Sequence, residues 1–295
     1  MSDGFSLIRI DGKITEPATV LINKISAAIG GGFKPRQIRR VAEAEADAEV
    51  IKAKAQIEIT ALQQRALTRF VMEESKKQDN IESITEKAIG QLNASSTPQY
   101  IEDDWITNFF DKCRIISDED MQILWAKVLA GEANSPGTYS KRTVNALGSL
   151  DKTDAELFIE LCSFTCLVNG RLVPFIYHED LYLPQSLYEK YGLNFDALHH
   201  LASIGLITFE SVGYVQTDLP QQIEMSYHKT NIRLEFEKPQ GNKVSTGNVL
   251  LTTIGKQMAK VCSSKEIDGF IDYVISKLSE DKSIVISSPY PKQDT

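Results

Sequence analysis

The chain has 295 residues, enough for about two domains, and a net charge of −8. Its hydrophobic content of 42% and charged content of 24% are ordinary for a globular protein and exclude global disorder. The negative charge argues against a general nucleic-acid coat, because such proteins bind mainly by neutralising phosphates, although a local basic face is compatible with it.

The N-terminal residues and the cysteines favour a reduced, cytoplasmic protein. No basic region followed by an apolar region opens the chain, and no window approaches about 18 apolar residues, so neither a signal peptide nor a transmembrane helix is expected. The four cysteines match no disulfide framework or zinc-ligand set; they are Cys113, Cys162, Cys166 and Cys262. For the pair in the apolar run at 157–168, core packing is favoured over redox or metal chemistry.

A short amphipathic helix is predicted over residues 18–29, inside an N-terminal segment of residues 1–34. Its apolar face consists of Leu21, Ile22, Ile25 and Ile29. Three glycines follow and end the helix. Docking of this face on the rest of the protein is favoured, and attachment to a membrane surface or an oligomer seam is the alternative.

A long helical arm is predicted over residues 35–97. Apolar residues recur there at about 3.6-residue spacing, the α-helical period; they are Val41, Ala44, Ala48, Ile51, Ala55, Ile59, Leu62, Ala66 and Phe70. The pattern predicts one helix from 36 to 76, roughly 60 Å long. Because isolated helices are marginally stable, the arm needs a partner. An antiparallel hairpin within one chain and a coiled coil in a homo-oligomer are equal alternatives.

A second helix of the arm is predicted to begin at Ile81. The apolar stripe is lost over residues 73–80, and Asn80 is a residue type that caps helices. This helix is expected to end before the polar linker at 94–98.

A helical hub is predicted over residues 98–170. Its first helix follows three acids at 102–104, which suit the helix dipole better than a metal, because no second acid cluster or histidine lies at ligand spacing. Large apolar faces indicate burial of Trp105, Ile106, Phe109, Phe110, Met121, Leu124, Trp125, Val128 and Leu129. The predicted N-caps of the later helices are Ser117 and Ser140, and a capping box joins Thr153 to Glu156.

A winged-helix-like α+β domain is predicted over residues 171–282, followed by a flexible tail at 283–295. The expected elements are strand 171–177, helix 194–204, strand-turn-strand 206–216, strand 232–237, helix 256–262 and helix 266–278. This order is that of a winged helix, which is a fold-level analogy without functional content. The predicted fold class is therefore mainly α with a smaller α+β part, comprising a coiled-coil-like arm, a helical hub and a winged-helix-like domain.

No catalytic or cofactor motif is found. The sequence has no phosphate-binding loop, no dinucleotide fingerprint and no nucleophile elbow. His199 and His200 are adjacent on a predicted helix and point in different directions, so the pair alone does not form a metal site. No catalytic, cofactor-binding or metal-binding residue is predicted, and a non-enzymatic protein is favoured.

Two groups of polar residues are predicted to contact other molecules. An exposed edge of the hub is the candidate partner contact, formed by Glu132, Asn134, Lys141 and Arg142. The candidate nucleic-acid contacts of the winged-helix-like region are Arg233, Lys238 and Lys243. Because helix 194–204 carries no lysine or arginine, protein binding is favoured over nucleic-acid binding.

Several motifs resemble one bacterial family of unknown function, the domain family numbered 2806. They are Asp-Trp-Ile-x-Asn-Phe-Phe-Asp-Lys-Cys-Arg at 104–114, the stretch from Ser117 to Gly137, Ser-Lys-Arg-Thr at 140–143, and the Ile-Arg-Arg-x-Ala-Glu-Ala-Glu-Ala run within 35–46. The Leu-Trp-Ala helix is also similar to one in abortive-infection proteins of the alpha type. The resemblance implies a setting in phage defence and transfers no catalytic residue.

The preferred hypothesis is a cytoplasmic, non-enzymatic scaffold or sensor. It would self-assemble through the helical arm and bind a protein partner through the globular domain. The alternative is a DNA-binding regulator that uses the winged-helix-like region.

Overall fold

The computed structural model describes residues 15–30, 60–182 and 186–291. These residues divide into two compact units, one ending at Gly148 and the other beginning at Ser149. The described part of the first unit is helical, whereas the second unit combines helices with two antiparallel sheets. The predicted mixture of α and β structure is therefore confirmed.

Five α-helices are described in the first unit. They are α1 at Glu16–Ile29, α2 at Ala61–Ile89, α3 at Asp103–Cys113, α4 at Glu119–Asn134 and α5 at Lys141–Leu147. A 3-10 turn at Pro98–Tyr100 precedes α3. The face of α1 that bears Leu21 and Ile25 is buried, and α1 packs against α3. Lys24 Nζ reinforces this packing with a 2.7 Å ion pair to Asp103.

Helix α2 differs from the prediction at both of its ends. Thr60 is extended and is the N-cap, so a helix continuing unbroken through residue 60 is wrong. The Thr60 N–H donates to Gln63 Oε1 at 2.9 Å, and the Gln63 N–H donates to Thr60 Oγ1 at 3.3 Å, which is a capping box. The predicted arm before residue 60 lies outside the described residues.

The second helix predicted from Ile81 does not exist as a separate element. Asn80 lies inside α2, and its side chain binds other elements instead of capping a helix. Its Nδ2 donates to the Arg114 carbonyl at 2.8 Å, and its Oδ1 accepts from Gln122 Nε2 at 3.3 Å. These tertiary bonds explain why a residue type that favours caps is accommodated within a helix.

The core of the first unit forms between α3 and α4, as the apolar faces predicted. Phe109 contacts Trp105 in a stacked arrangement with centroids 5.1 Å apart, and it meets Trp125 edge-on at 5.0 Å. Trp105 Nε1 donates to the Tyr139 carbonyl at 2.7 Å, which satisfies the polar atom of a buried ring. The large side chains predicted to be buried in α3 and α4 are buried.

The N-cap prediction is confirmed for α5 and wrong for α4. Ser140 Oγ accepts from the Thr143 N–H at 3.2 Å. The N-cap of α4 is Asp118 and not Ser117, since the Asp118 carboxylate accepts from the Met121 N–H at 3.1 Å. Adjacent residues that can both cap a helix leave the helix start ambiguous in the sequence.

The second unit contains four described helices and seven strands. The helices are α6 at Lys152–Ser163, α7 at Phe195–Ser203, α8 at Thr253–Ala259 and α9 at Phe270–Leu278. The strands are β1 at Thr165–Val168, β2 at Arg171–Pro174, β3 at Ile207–Leu219, β4 at Gln222–Tyr227, β5 at Thr230–Phe236, β6 at Asn242–Leu251 and β7 at Ile284–Pro291. Two 3-10 turns cover His178–Tyr182 and Glu189–Tyr191.

The strands form two separate sheets, whereas a winged helix has a single two-stranded ribbon. One sheet has the order β2-β1-β4-β5-β7, and β3 pairs with β6 in the other. The β4–β5 hairpin lies between β3 and β6 in the chain, yet it belongs to the first sheet. The order helix, strands, helix is present as predicted, but the strands do not make one two-stranded wing.

Two further predictions in this unit are wrong. The expected strand-turn-strand at 206–216 is one long strand, β3, with an irregular register between Phe209 and Tyr214. The buried Asn248 stabilises this irregularity, because its Nδ2 donates to the carbonyls of Glu210 at 2.8 Å and Ser211 at 3.0 Å. The expected flexible tail is also replaced in part by β7, which pairs with β5.

Three helix starts in the second unit also shift. Asp151, not Thr153, is the N-cap of α6, and its N–H donates to Asp154 Oδ2 at 3.0 Å. Thr252 caps α8 ahead of the predicted start at 256, and its Oγ1 accepts from the Gly255 N–H at 3.0 Å. Helix α9 begins at Phe270 rather than at 266.

Candidate functional site

Glu132 was predicted to lie on an exposed edge, and this prediction is wrong. Its side chain is buried, and its carboxylate accepts the backbone N–H groups of Gly137 at 2.6 Å and Tyr139 at 2.8 Å. Burial raises the pKa of the Glu132 carboxyl, although the backbone N–H donors act to lower it. Glu132 therefore stabilises the turn between α4 and α5 and is not available to a partner.

The remaining three residues of the predicted edge divide into one structural residue and two exposed ones. Asn134 is half-buried, and its side chain accepts from the Asn93 N–H at 2.9 Å and donates to the Gln91 carbonyl at 3.2 Å. Lys141 and Arg142 are exposed in the first turn of α5. Lys141 Nζ lies 3.4 Å from Asp104 Oδ2. The edge that a partner could reach thus consists of Lys141 and Arg142.

The predicted nucleic-acid contacts lie on different elements of the second unit. Arg233 is on β5 and forms an ion pair with Glu224 at 3.8 Å. Lys243 is on β6, in the other sheet, and Lys238 lies in the segment between these strands. Both lysines are exposed. A carboxylate beside Arg233 lowers the positive potential that phosphate binding would require.

Helix α2 carries an exposed apolar surface near its N-terminus. Every side chain from Ala61 to Phe70 is exposed, including Leu62 at 68% and Phe70 at 60% of its surface. Successive residues of a helix are about 100° apart, which places Leu62, Ala66 and Phe70 on one face. We call these three residues and the adjacent Leu67 the α2 apolar face.

The α2 apolar face lies on the same side of the helix as a second apolar patch that is buried further along. By the same helical geometry, Ile84 and Ala88 lie in line with Ala66 and Phe70. Ile84 and Ala88 are fully buried, where α2 packs against α4. One continuous helix therefore carries two apolar patches on the same side, covered at its C-terminal end and exposed at its N-terminal end, with the polar residues 73–80 between them.

The second unit contains a polar groove of about 510 Å³. Its lining includes Tyr177, Glu179, Asn248 and Lys277. Lys277 Nζ lies 2.9 Å from Glu179 Oε1, and it is 5.3 Å from the centre of the Tyr177 ring. A second carboxylate, that of Asp180, is 3.4 Å from the same nitrogen.

Lys277 is held in this groove as a cation. Burial lowers the pKa of its ammonium, but the hydrogen bonds and charges of Glu179 and Asp180 together outweigh burial, so the pKa is raised. Tyr273 donates a hydrogen bond to Asp180, and its pKa is raised mainly by burial. A protonated lysine is a poor nucleophile, and the cluster therefore joins α9 to the turn at 178–182 rather than forming a reactive amine.

Sequence reasoning missed this groove because its members are distant in the chain. Glu179 and Lys277 carry no motif, and only the packing of α9 beside the 178–182 turn brings them together. Within the three described ranges, no group of three or more His, Cys, Asp or Glu side chains is placed to hold a metal ion. Among the helices of these ranges, none combines the length and the apolarity needed to cross a bilayer.

The fold and these surfaces define an α+β protein with a helical first unit that carries an exposed apolar helix face. The chain belongs to the family described as Protein of unknown function (DUF2806), whose family model matches residues 64–275. This confirms the family resemblance inferred from the motifs at 104–143. No curated protein and no solved structure matches the chain.

Proposed function

We propose that this protein is a non-enzymatic scaffold or sensor that self-assembles through the α2 apolar face. The observation that carries the proposal is the exposure of Leu62, Ala66, Leu67 and Phe70 on a helix whose same face is buried further along. A contiguous exposed apolar stripe on a helix is typical of a surface that pairs with another helix. The self-assembly is therefore expected to be a coiled-coil-like pairing of α2.

Energetics support a partner for the exposed half of α2. Helices of this length without tertiary contacts are marginally stable in water. Burying a Leu or Phe side chain contributes about 1.5–3 kcal/mol. In a dimer, Leu62, Leu67 and Phe70 of both copies would be buried. The free energy gained from these six side chains offsets the entropy that two molecules lose on association.

The charges flanking the stripe favour an antiparallel pair of two copies. Arg65 and Arg69 precede Glu73 and Glu74 along the helix. An antiparallel pair that crosses near Arg69 sets Arg65 of each copy opposite Glu73 of the other. A parallel pair in register sets Arg65 opposite Arg65, and like charges destabilise such pairs.

Solution mass measurement tests the assembly. At high micromolar concentration the wild type is expected to be a dimer, and Phe70→Glu is expected to be a monomer, because it places a charge in the apolar seam. Thr68→Glu is the matched control, since it adds the same charge on the opposite, exposed face and should leave the dimer intact. A strictly monomeric wild type, or a dimer that Phe70→Glu leaves unchanged, would contradict the proposal.

A charge swap tests the orientation. Arg65→Glu and Glu73→Arg are each expected to weaken the dimer, and the double variant is expected to restore it, because each charge then again faces its opposite. A double variant that is weaker than both single variants would contradict the antiparallel arrangement while leaving self-assembly itself in place.

The partner of the assembled protein is proposed to bind at Lys141 and Arg142. These two exposed cations at the start of α5 suit an acidic surface on another protein, which would compete with Asp104 for Lys141. We further propose a setting in phage defence, on the resemblance of the Leu-Trp-Ala motif at 124–126 to abortive-infection proteins of the alpha type. Phage challenge of cells carrying wild type, the Lys141→Glu/Arg142→Glu variant or neither tests both points. No protection by wild type would contradict the defence setting, and equal protection by wild type and variant would contradict the partner site.

The alternative function is a DNA-binding regulator that uses the winged-helix-like region through Arg233, Lys238 and Lys243. A gel shift at several salt concentrations distinguishes it, because phosphate contacts strengthen as salt falls. No shift at low salt would exclude this function. The ion pair of Arg233 with Glu224 is the feature that counts against it.

A further inference from the structure

Two cysteines of the second unit are in contact. Cys162 lies in the last turn of α6, and Cys262 lies in the segment that follows α8. Their thiol groups are hydrogen bonded to each other, and both are free. The spacing of the cysteines in the sequence did not indicate this pair, because Cys166 is the nearer neighbour of Cys162 along the chain.

Backbone hydrogen bonds keep the two segments together independently of the cysteines. The Lys265 N–H donates to Ser163 Oγ at 3.0 Å, directly beside Cys162. Tyr227 OH donates to the Ser163 carbonyl at 2.9 Å and accepts the Ile267 N–H at 2.7 Å. Lys265 and Ile267 are thus held at the end of α6, which keeps the segment that follows Cys262 beside Cys162.

The two thiols differ in accessibility. Cys262 is half-buried, whereas Cys162 is 6% exposed. The hydrogen bond with Cys262 and then burial raise the pKa of the Cys162 thiol, so Cys162 stays protonated and does not react first. Cys113 and Cys166 are fully buried. Of these four thiols, Cys262 is therefore the one that a small oxidant in solution reaches.

We propose that Cys162 and Cys262 are a redox modification site that forms a reversible disulfide when a peroxide oxidises the protein. The Cys262 thiolate attacks one peroxide oxygen; an S–O bond forms, the O–O bond breaks, and hydroxide leaves and takes up a proton as water. The Cys162 sulfur then attacks the Cys262 sulfenic sulfur. The S–S bond forms, the S–O bond breaks, and the Cys162 proton leaves with the hydroxide as a second water.

The balance of this reaction is complete with the peroxide as the only oxidant. Two thiols lose two electrons, and one peroxide is reduced to two waters. A dithiol reductant reverses the bond by thiol–disulfide exchange. The cross-link would tie the end of α6 to the segment after α8 and would restrict their separation. This inference is independent of the proposed self-assembly, because it involves no residue of α2.

Peptide mapping of the full chain tests the site. Protein treated with hydrogen peroxide is blocked with N-ethylmaleimide, digested and analysed by mass spectrometry. The expected product is an intrachain peptide pair that joins Cys162 to Cys262, lost on treatment with dithiothreitol and absent from Cys262→Ser. A non-reducing gel separates this product from cross-links between chains.

The variant Cys162→Ser keeps the test informative. Cys262 then lacks its resolving thiol, and it is expected to accumulate as a sulfenic acid that dimedone labels. Dimedone labelling of oxidised wild type should be several-fold lower than that of oxidised Cys162→Ser, because the disulfide forms in place of the sulfenic acid. Far-UV circular dichroism shows that each variant is folded. Absence of the linked pair from oxidised wild type, whether Cys262 stays a thiol or becomes a sulfinic acid, overturns the proposal.

Discussion

The carboxylate of Glu132 accepts the backbone N–H of Tyr139 at 2.8 Å and so closes the turn that follows α4. A second N–H, from Gly137, binds the same carboxylate at 2.6 Å. Both acceptor oxygens are used inside the first unit. An acid that looks like a surface residue in the sequence is therefore part of the fold.

Replacing Glu132 by Gln is expected to destabilise the first unit by about 1–3 kcal/mol, because an amide has only one acceptor oxygen for two N–H donors, of which that of Tyr139 is buried. Urea denaturation measures the loss. The exposed Glu119→Gln is the control and is expected to change stability by less than about 0.5 kcal/mol. Equal stability of the two variants would contradict the role of Glu132.

The raised pKa of Glu132 has a definite consequence for pH dependence. Its carboxyl binds a proton more tightly in the folded state than at the ordinary pKa of 4.5. Its contribution to stability is therefore fully present below 4.5 and is lost as pH rises through the raised pKa. The stability advantage of wild type over Glu132→Gln should decrease across that window, in urea denaturation at a series of pH values. An advantage that grows with pH would contradict the direction of the shift.

A Gly247→Ala substitution is expected to disrupt the second unit. Gly247 has a φ of 86°, and a Cβ there would lie 2.4 Å from the Ile176 carbonyl oxygen. Gly241 is the matched control, since it has a φ of 74° but no atom within 4 Å of a Cβ. Gly241→Ala should cost only the backbone strain of about 1–2 kcal/mol. Thermal unfolding compares the two, and a smaller loss for Gly247→Ala would contradict the clash.

Lys277→Met is expected to destabilise the second unit by about 3 kcal/mol, because it leaves the carboxylate of the poorly exposed Asp180 without its cation. The side chains of Lys277 and Asp180 are only 16% and 13% exposed, so solvent screens this pair weakly, whereas Glu179 is 72% exposed and contributes little. Lys256→Met, an exposed change of the same kind on α8, is the control. Denaturant unfolding measures both, and equal losses would mean that the cluster contributes little.

The Lys277 cluster also predicts an effect at alkaline pH. The pKa of Lys277 is raised above its ordinary value of 10.5. Its stabilisation is therefore complete below 10.5 and is lost as pH rises through the raised pKa. The difference in unfolding free energy between wild type and Lys277→Met should shrink in that range. A constant difference up to strongly alkaline pH would contradict the ion pairs.

The Cys162–Cys262 disulfide is expected to raise the unfolding free energy of the oxidised protein. A cross-link that closes a loop of about 100 residues stabilises by up to about 4–5 kcal/mol through the unfolded chain. Denaturant unfolding of peroxide-treated protein, with and without dithiothreitol, measures the difference. The oxidised Cys262→Ser variant serves as the control and should show no such gain.

Features that depend on near neighbours in the chain were predictable. The burial of Trp105, Phe109 and Trp125 follows from helical periodicity, and Ser140 caps α5 as its residue type indicates. Where two local signals compete, the prediction shifts by a residue, as with Asp118 in place of Ser117. These features need only the geometry of one helix turn.

Features that depend on a distant partner were not predictable. Asn80 carries a cap signal, but Arg114 and Gln122 bind its side chain within a continuous helix. The tail at 284–291 looks polar and loose, yet β5 provides its hydrogen-bond partners. Glu132 is a typical surface residue by type, and the turn that folds back onto it decides its burial.

The sequence by itself determined the family, the helical periodicity and most of the buried face of the first unit, because these depend on residues within a few positions of each other. Only the tertiary structure decided that the apolar stripe of α2 is covered at Ile84 and exposed at Phe70, and that Cys162 meets Cys262. The physical reason is that burial and contact depend on which distant segments the folded chain brings together, and local spacing does not contain that information.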